Sequence, residues 1–114
     1  RFWHPADSLY TTDYVLDETF TMLFKRLPPP KAESSLKLIL NSLKAGEFYM
    51  EWITPERFIR SWKLRQKLRD KLQFSFTDVS SIIIMQELGI RRILTENSYF
   101  ASADTGFEII GRER

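Results

Sequence analysis

The stretch FTDVSSIIIMQELGIRRILTENSYF, residues 76–100, places an acid, Asp78, at the head of an apolar segment that includes Ile82–Met85. Gly89 interrupts the segment, and a second apolar run ends in Thr95-Glu96-Asn97. This order predicts a helix capped by Thr77 or Asp78 and running to Leu88, a glycine stop, a strand over Ile90–Thr95, and a polar stop where the strand ends. In open sheets of helices and strands, the carboxyl ends of the strands are where sites are built.

Upstream, Thr54-Pro55-Glu56 combines a cap, a proline at the first helical position and an early acid, so a helix is predicted from there to about Leu72. Phe48–Ile53 is short, aromatic and apolar, which fits a strand. Ala32–Ala45 carries Leu36, Ile39, Leu40 and Leu43 at helical spacing and stops at Gly46. Leu9–Thr12 reads as a strand and Asp13 as the cap of a helix with Leu16, Phe20, Leu23 and Leu27 on one face. That helix ends before Pro28-Pro29-Pro30, because consecutive prolines do not continue a helix. Phe107–Ile110 is a last short strand. Strands alternating with helices imply an α/β fold, a three-layer α/β/α sandwich around a central parallel sheet.

At 114 residues the chain is one domain, and 43% apolar residues with 14% aromatics belong to a folded protein. There is no cysteine, which excludes disulfides and thiolate metal sites. One histidine leaves neither a zinc site nor a histidine-assisted nucleophile with obvious parts, and His4 is assigned no catalytic role. The four glycines form no phosphate-cradling loop. No apolar run approaches the roughly 20 residues of a bilayer span, so a soluble, cytoplasmic protein with no membrane partner is expected. A formal charge of +2 is only a hint of an anionic partner.

Three polar positions recur at comparable places. Glu18 lies early in the first helix, Asp78 at the head of the last, and Asn97 after the strand that ends at Thr95. In a parallel sheet these places share one edge. Carboxylates brought together repel unless a cation or proton intervenes, so convergence would favour a hard divalent ion such as Mg²⁺, and metal-assisted phosphodiester hydrolysis would follow. The alternative is that Asp78 only caps its helix and Glu18 only meets the positive end of its own helix dipole.

LYTTDYVLDETFTMLFKRL (9–27), followed by the 74–100 block and by GFEII (106–110), resembles the PIN-domain family of metal-dependent ribonucleases, closest to its VapC-like toxin-type members. The resemblance spans about Leu9 to Ile110 and rests on the order of the blocks. It implies an acidic pocket that holds Mg²⁺ or Mn²⁺ and cuts RNA, with Glu18 and Asp78 as catalytic and metal-binding acids and Thr77 and Ser81 as polar support. The family's later LT-x-D-x-x-F pattern falls on Leu94–Phe100, where Asn97 occupies the acidic position as a third, uncharged metal ligand. Glu96 or Asp104 are candidates to replace the missing acid. The family's first acid ends a strand that this sequence does not contain. The chain opens on Arg1, and the expectation is a single domain over 1–114 that lacks its first strand and helix, with the natural protein beginning before Arg1. The resemblance further implies an antitoxin partner and a homodimer.

The helix after Thr54 is strongly basic. Arg60, Lys63, Lys67 and Lys71 are the candidate contacts to an RNA backbone, with a solvated face or an acidic partner as the alternative. Phe58, Trp62, Leu68 and Leu72 form a stripe expected to face the protein, and Trp52 and Trp62 are expected in the core rather than stacked on bases. A catalytically impaired RNA-binding or protein-interaction module is the competing function, favoured by Asn97.

Overall fold

The computed structural model describes residues 2–3, 8–95, 97–101 and 107–109. Five short strands form one sheet: β1 (Phe2–Trp3), β2 (Leu9–Thr12), β3 (Tyr49–Glu51), β4 (Arg92–Ile93) and β5 (Glu108–Ile109), in the order β3-β2-β1-β4-β5. β2 and β3 pair in parallel with Tyr10 opposite Tyr49, their rings 5.4 Å apart, and β4 and β5 pair in parallel with Ile93 opposite Ile109.

β1 has no counterpart among the expected strands. It fills the middle of the sheet and runs antiparallel to both neighbours, with Phe2 opposite Tyr10 on one side and Ile93 on the other. The other four strands all point one way, so the sheet is parallel except at its centre. The unpaired inner edges of β2 and β4 explain the insertion, since buried backbone donors and acceptors require partners.

The helices are α1 (Asp13–Arg26), α2 (Pro29–Lys44), α3 (Pro55–Lys67) and α4 (Phe76–Leu88). β2 reaches β3 through α1 and α2, and β3 reaches β4 through α3 and α4, with the two crossovers running in opposite directions along the sheet. Since such crossovers are right-handed, the two helix pairs cover opposite faces of the sheet. This is the expected α/β sandwich.

Several boundaries differ from the sequence reading for local reasons. Thr12, not Asp13, caps α1, accepting from Val15 N at 3.0 Å. The triple proline starts α2 as well as ending α1: Pro29 and Pro30 occupy its first turn, where a missing N–H costs nothing. α3 stops at Lys67 rather than near Leu72. The Arg65 guanidinium donates to the carbonyls of Phe74 at 2.6 Å, Lys71 at 3.0 Å and Leu68, and so folds the chain back into a pinned turn. β4 is shorter than Ile90–Thr95, and Ser98–Ala101 adds a 3-10 turn.

α4 is the centre of the core. Val79 through Met85 are all buried, and Phe74, Ile90, Ile93 and Phe100 complete the cluster. A helix covered on every side needs apolar residues all round, which is why 82–85 lacks the one-sided periodicity of a surface helix. Each fully buried isoleucine there contributes about 1.5–3 kcal/mol. Gly89 then closes α4 in the left-handed conformation, φ 68°, which glycine adopts without a steric penalty.

Candidate functional site

α1 and α4 begin close together: the Tyr14 and Phe76 rings are 6.4 Å apart. At this edge, Asp13 Oδ1 accepts from Ile53 N at 2.9 Å and ties the chain leaving β3 to the start of α1. No local signal points to that partner, which lies 40 residues away. Asp13 thus acts as a structural latch between β3 and α1.

Asp78 is the third residue of α4, and Ser75 is the cap that the sequence reading had placed on Thr77 or Asp78. Ser75 Oγ accepts from Asp78 N at 3.0 Å while Asp78 Oδ2 accepts from Ser75 N at 3.0 Å, a reciprocal capping box. Ser80 Oγ donates to Thr77 O at 2.7 Å, and Ser81 is buried.

The same Asp78 oxygen receives a second hydrogen bond. Asn97 Nδ2 donates to Asp78 Oδ2 at 3.1 Å and to Gln73 O at 2.8 Å, while Asn97 Oδ1 accepts from Tyr99 N at 3.0 Å. Three partners fix the amide's orientation. Rotating it by half a turn would set oxygen against two acceptors and nitrogen against a donor. The structure therefore brings Asp78 and Asn97 together, with a nitrogen, not an oxygen, facing the carboxylate.

Glu18 is exposed on α1, in a shallow pocket with Asp17, Thr21, Met22, Lys25 and Arg26. It has no hydrogen bond or ion pair among the described residues, and none joins it to Asp78. Among those residues no three histidine, aspartate or glutamate side chains gather as a metal site. Glu96 and Asp104 lie outside the described residues. The described donors thus do not by themselves fit a closed Mg²⁺ or Mn²⁺ site, because the amide nitrogen of Asn97 stands where an oxygen ligand is required.

The basic face of α3 departs from expectation in two respects. Arg60 pairs with Glu87, which also holds Arg57 at 2.9 Å, and Arg57 in turn reaches Glu51 at 3.0 Å. Arg60 is therefore part of a surface network between α3 and α4, whereas Lys63, Lys67 and Lys71 are exposed with no ion-pair partner among the described residues. The aromatic stripe is also less covered than its spacing implied. Trp62 is 50% exposed, Trp52 62%, Phe58 44% and Leu72 85%; only Leu68 packs on the core. The interior beneath α3 is instead filled by Ser61, Leu64 and Leu68, small or aliphatic groups that let α3 lie close to α4.

No family model matches the chain, and no curated protein matches it. Among solved structures it is similar to VapC20 of Mycobacterium tuberculosis, described as a sarcin-ricin loop cleaving toxin, with 24% identity and a TM-score of 0.71 over 89% of this chain and 72% of that one. Among the described residues no helix is long and apolar enough to cross a membrane. The element order, the sheet and this likeness together give the chain an α/β fold of the VapC-like, PIN type.

Proposed function

We propose that this chain acts on RNA as an endoribonuclease of the VapC-like type, with Glu18 and Asp78 as the acids on which phosphodiester hydrolysis depends. The observation that carries the proposal is the fold, similar to that of an RNA-cleaving toxin, with Asp78 fixed at the start of the buried helix and a cationic surface on the adjoining α3. The same reading brings a divalent cation, Mg²⁺ or Mn²⁺, an antitoxin that would block the site, and a homodimer. The described donors do not by themselves assemble a site for that ion.

A second reading is favoured by one contact. With Asn97 donating to Asp78, the carboxylate is already satisfied without a cation, which suits a PIN-like module that binds RNA or a protein and no longer cleaves.

The two are separated by incubating the full chain with RNA in Mg²⁺, in Mn²⁺ and in chelator, beside Asp78→Asn. Ion-dependent fragments that vanish in Asp78→Asn support the nuclease. Bound but intact RNA overturns it in favour of the second reading, and folded protein that neither binds nor cleaves RNA overturns the nuclease and leaves of the second reading only a module that binds a protein.

A further inference from the structure

A large apolar side chain left half in water on a folded domain marks a contact surface when it belongs to a patch rather than standing alone. Trp62 does. With Arg65, Gln66, Arg69 and Leu72 it lines an open groove of about 470 Å³ along the last turns of α3 and the turn that follows. Phe58 and Ile59, 44% and 49% exposed, extend the patch toward the start of α3.

The groove is built on a fixed support. Arg65 spends its guanidinium on three carbonyls of the turn, and Lys71 N and Phe74 N donate back to Leu68 O and Lys71 O at 2.8 and 3.2 Å. Leu72 is therefore held outward by a pinned turn, so that a ligand would meet a preformed wall. Arg69 lines the groove, and Lys63, Lys67 and Lys71 of the same helix and turn are also exposed without an ion-pair partner among the described residues, against the single acid Asp70 in that stretch. The turn then runs directly into Gln73, whose carbonyl is held by Asn97, and on to Asp78. Groove and candidate site are thus consecutive along one segment.

We infer that this groove is a track for single-stranded RNA, in which an unstacked base lies on the Trp62 indole against Leu72 while Lys63, Lys67, Arg69 and Lys71 follow the phosphates. An aromatic face accepts any base, and flanking cations supply the sequence-independent attraction to the backbone. The inference rests on the RNA reading of the site and adds where, and by which chemistry, the strand is held.

The test uses a short oligouridylate kept intact by chelator, the same backbone without bases, and poly-glutamate, each titrated in chelator against the full chain with binding and tryptophan fluorescence followed together. Expected are quenching of tryptophan by the oligouridylate and roughly tenfold weaker binding in Trp62→Ala, the range that loss of one stacked base allows. Trp62→Phe should recover most of the affinity, Leu72→Ser should lose part of it, and the abasic backbone should bind Trp62→Ala and the parent equally. Equal oligouridylate binding by Trp62→Ala and the parent overturns the track and leaves the RNA reading standing. Poly-glutamate binding that falls in Trp62→Ala as much as oligouridylate binding does overturns it in favour of an acidic peptide partner. No binding of any RNA by folded protein overturns both the track and the RNA reading.

Discussion

Asn97 Nδ2 lies 3.1 Å from Asp78 Oδ2 and donates to it, so the carboxylate at the head of the buried helix is hydrogen-bonded by an amide of the chain itself. The same nitrogen holds Gln73 O at 2.8 Å, and it therefore joins the turn before α4 to the segment after β4.

Asn97→Asp removes both donors and sets a second negative charge against Asp78. In chelator the variant should be less stable by about 1–3 kcal/mol, the cost of unpaired polar groups with like-charge repulsion added. Mg²⁺ or Mn²⁺ should restore much of that loss, because three oxygens then face one point. Thermal melts of both proteins with and without the ion check this; a variant as stable as the parent in chelator contradicts the donor assignment.

Asp78 has a structural role that is separable from a chemical one. Asp78→Ala should cost about 1 kcal/mol through loss of the capping box. Asp78→Asn keeps an acceptor for Ser75 N and should cost less. Under the nuclease proposal both abolish cleavage equally, so denaturant titrations and cleavage assays on the two variants should rank differently.

Arg65 is a clamp rather than a phosphate contact. Arg65→Ala should destabilise the chain by about 2–3 kcal/mol, the range for hydrogen bonds from a charged donor. Arg65→Lys should rescue it only in part, since an ammonium does not reproduce a planar fork. Hydrogen exchange should accelerate first at Lys71 and Phe74, whose amides close the turn.

Thr11 is fully buried, and its hydroxyl oxygen has no hydrogen-bond partner among the described residues. Thr11→Val removes that unsatisfied atom at nearly constant shape and should stabilise the fold by about 1 kcal/mol, read as a higher midpoint in urea.

The cations of α3 should separate by salt dependence. Lys63→Gln or Lys67→Gln should each lower the slope of log affinity against log salt by about 0.7 for a single strand. Arg60→Gln should change stability more than that slope, because Arg60 is paired with Glu87. Titrations with the oligouridylate in chelator at several salt concentrations measure all three.

Features that depend on neighbouring residues were legible in the chain before folding. The alternation of helices and strands, the start of α3 at Thr54-Pro55-Glu56 and the closure of α4 at Gly89 follow from caps, prolines and a left-handed glycine, all local physics. The long apolar run of α4 announced its burial for the same reason. Only the tertiary structure decided the rest. The antiparallel β1 in mid-sheet answers to strand edges that exist only once the sheet has formed. The outward turn of Trp62 follows from how closely α3 lies on α4, and the early end of α3 from carbonyls that Arg65 gathers beyond its own helix. Glu18 lies in the second turn of α1 and Asp78 in the first turn of α4, yet whether they share a site depends on side-chain directions that spacing does not set. Which atom of Asn97 faces Asp78 was likewise decided by Gln73 and Tyr99, partners brought together by folding.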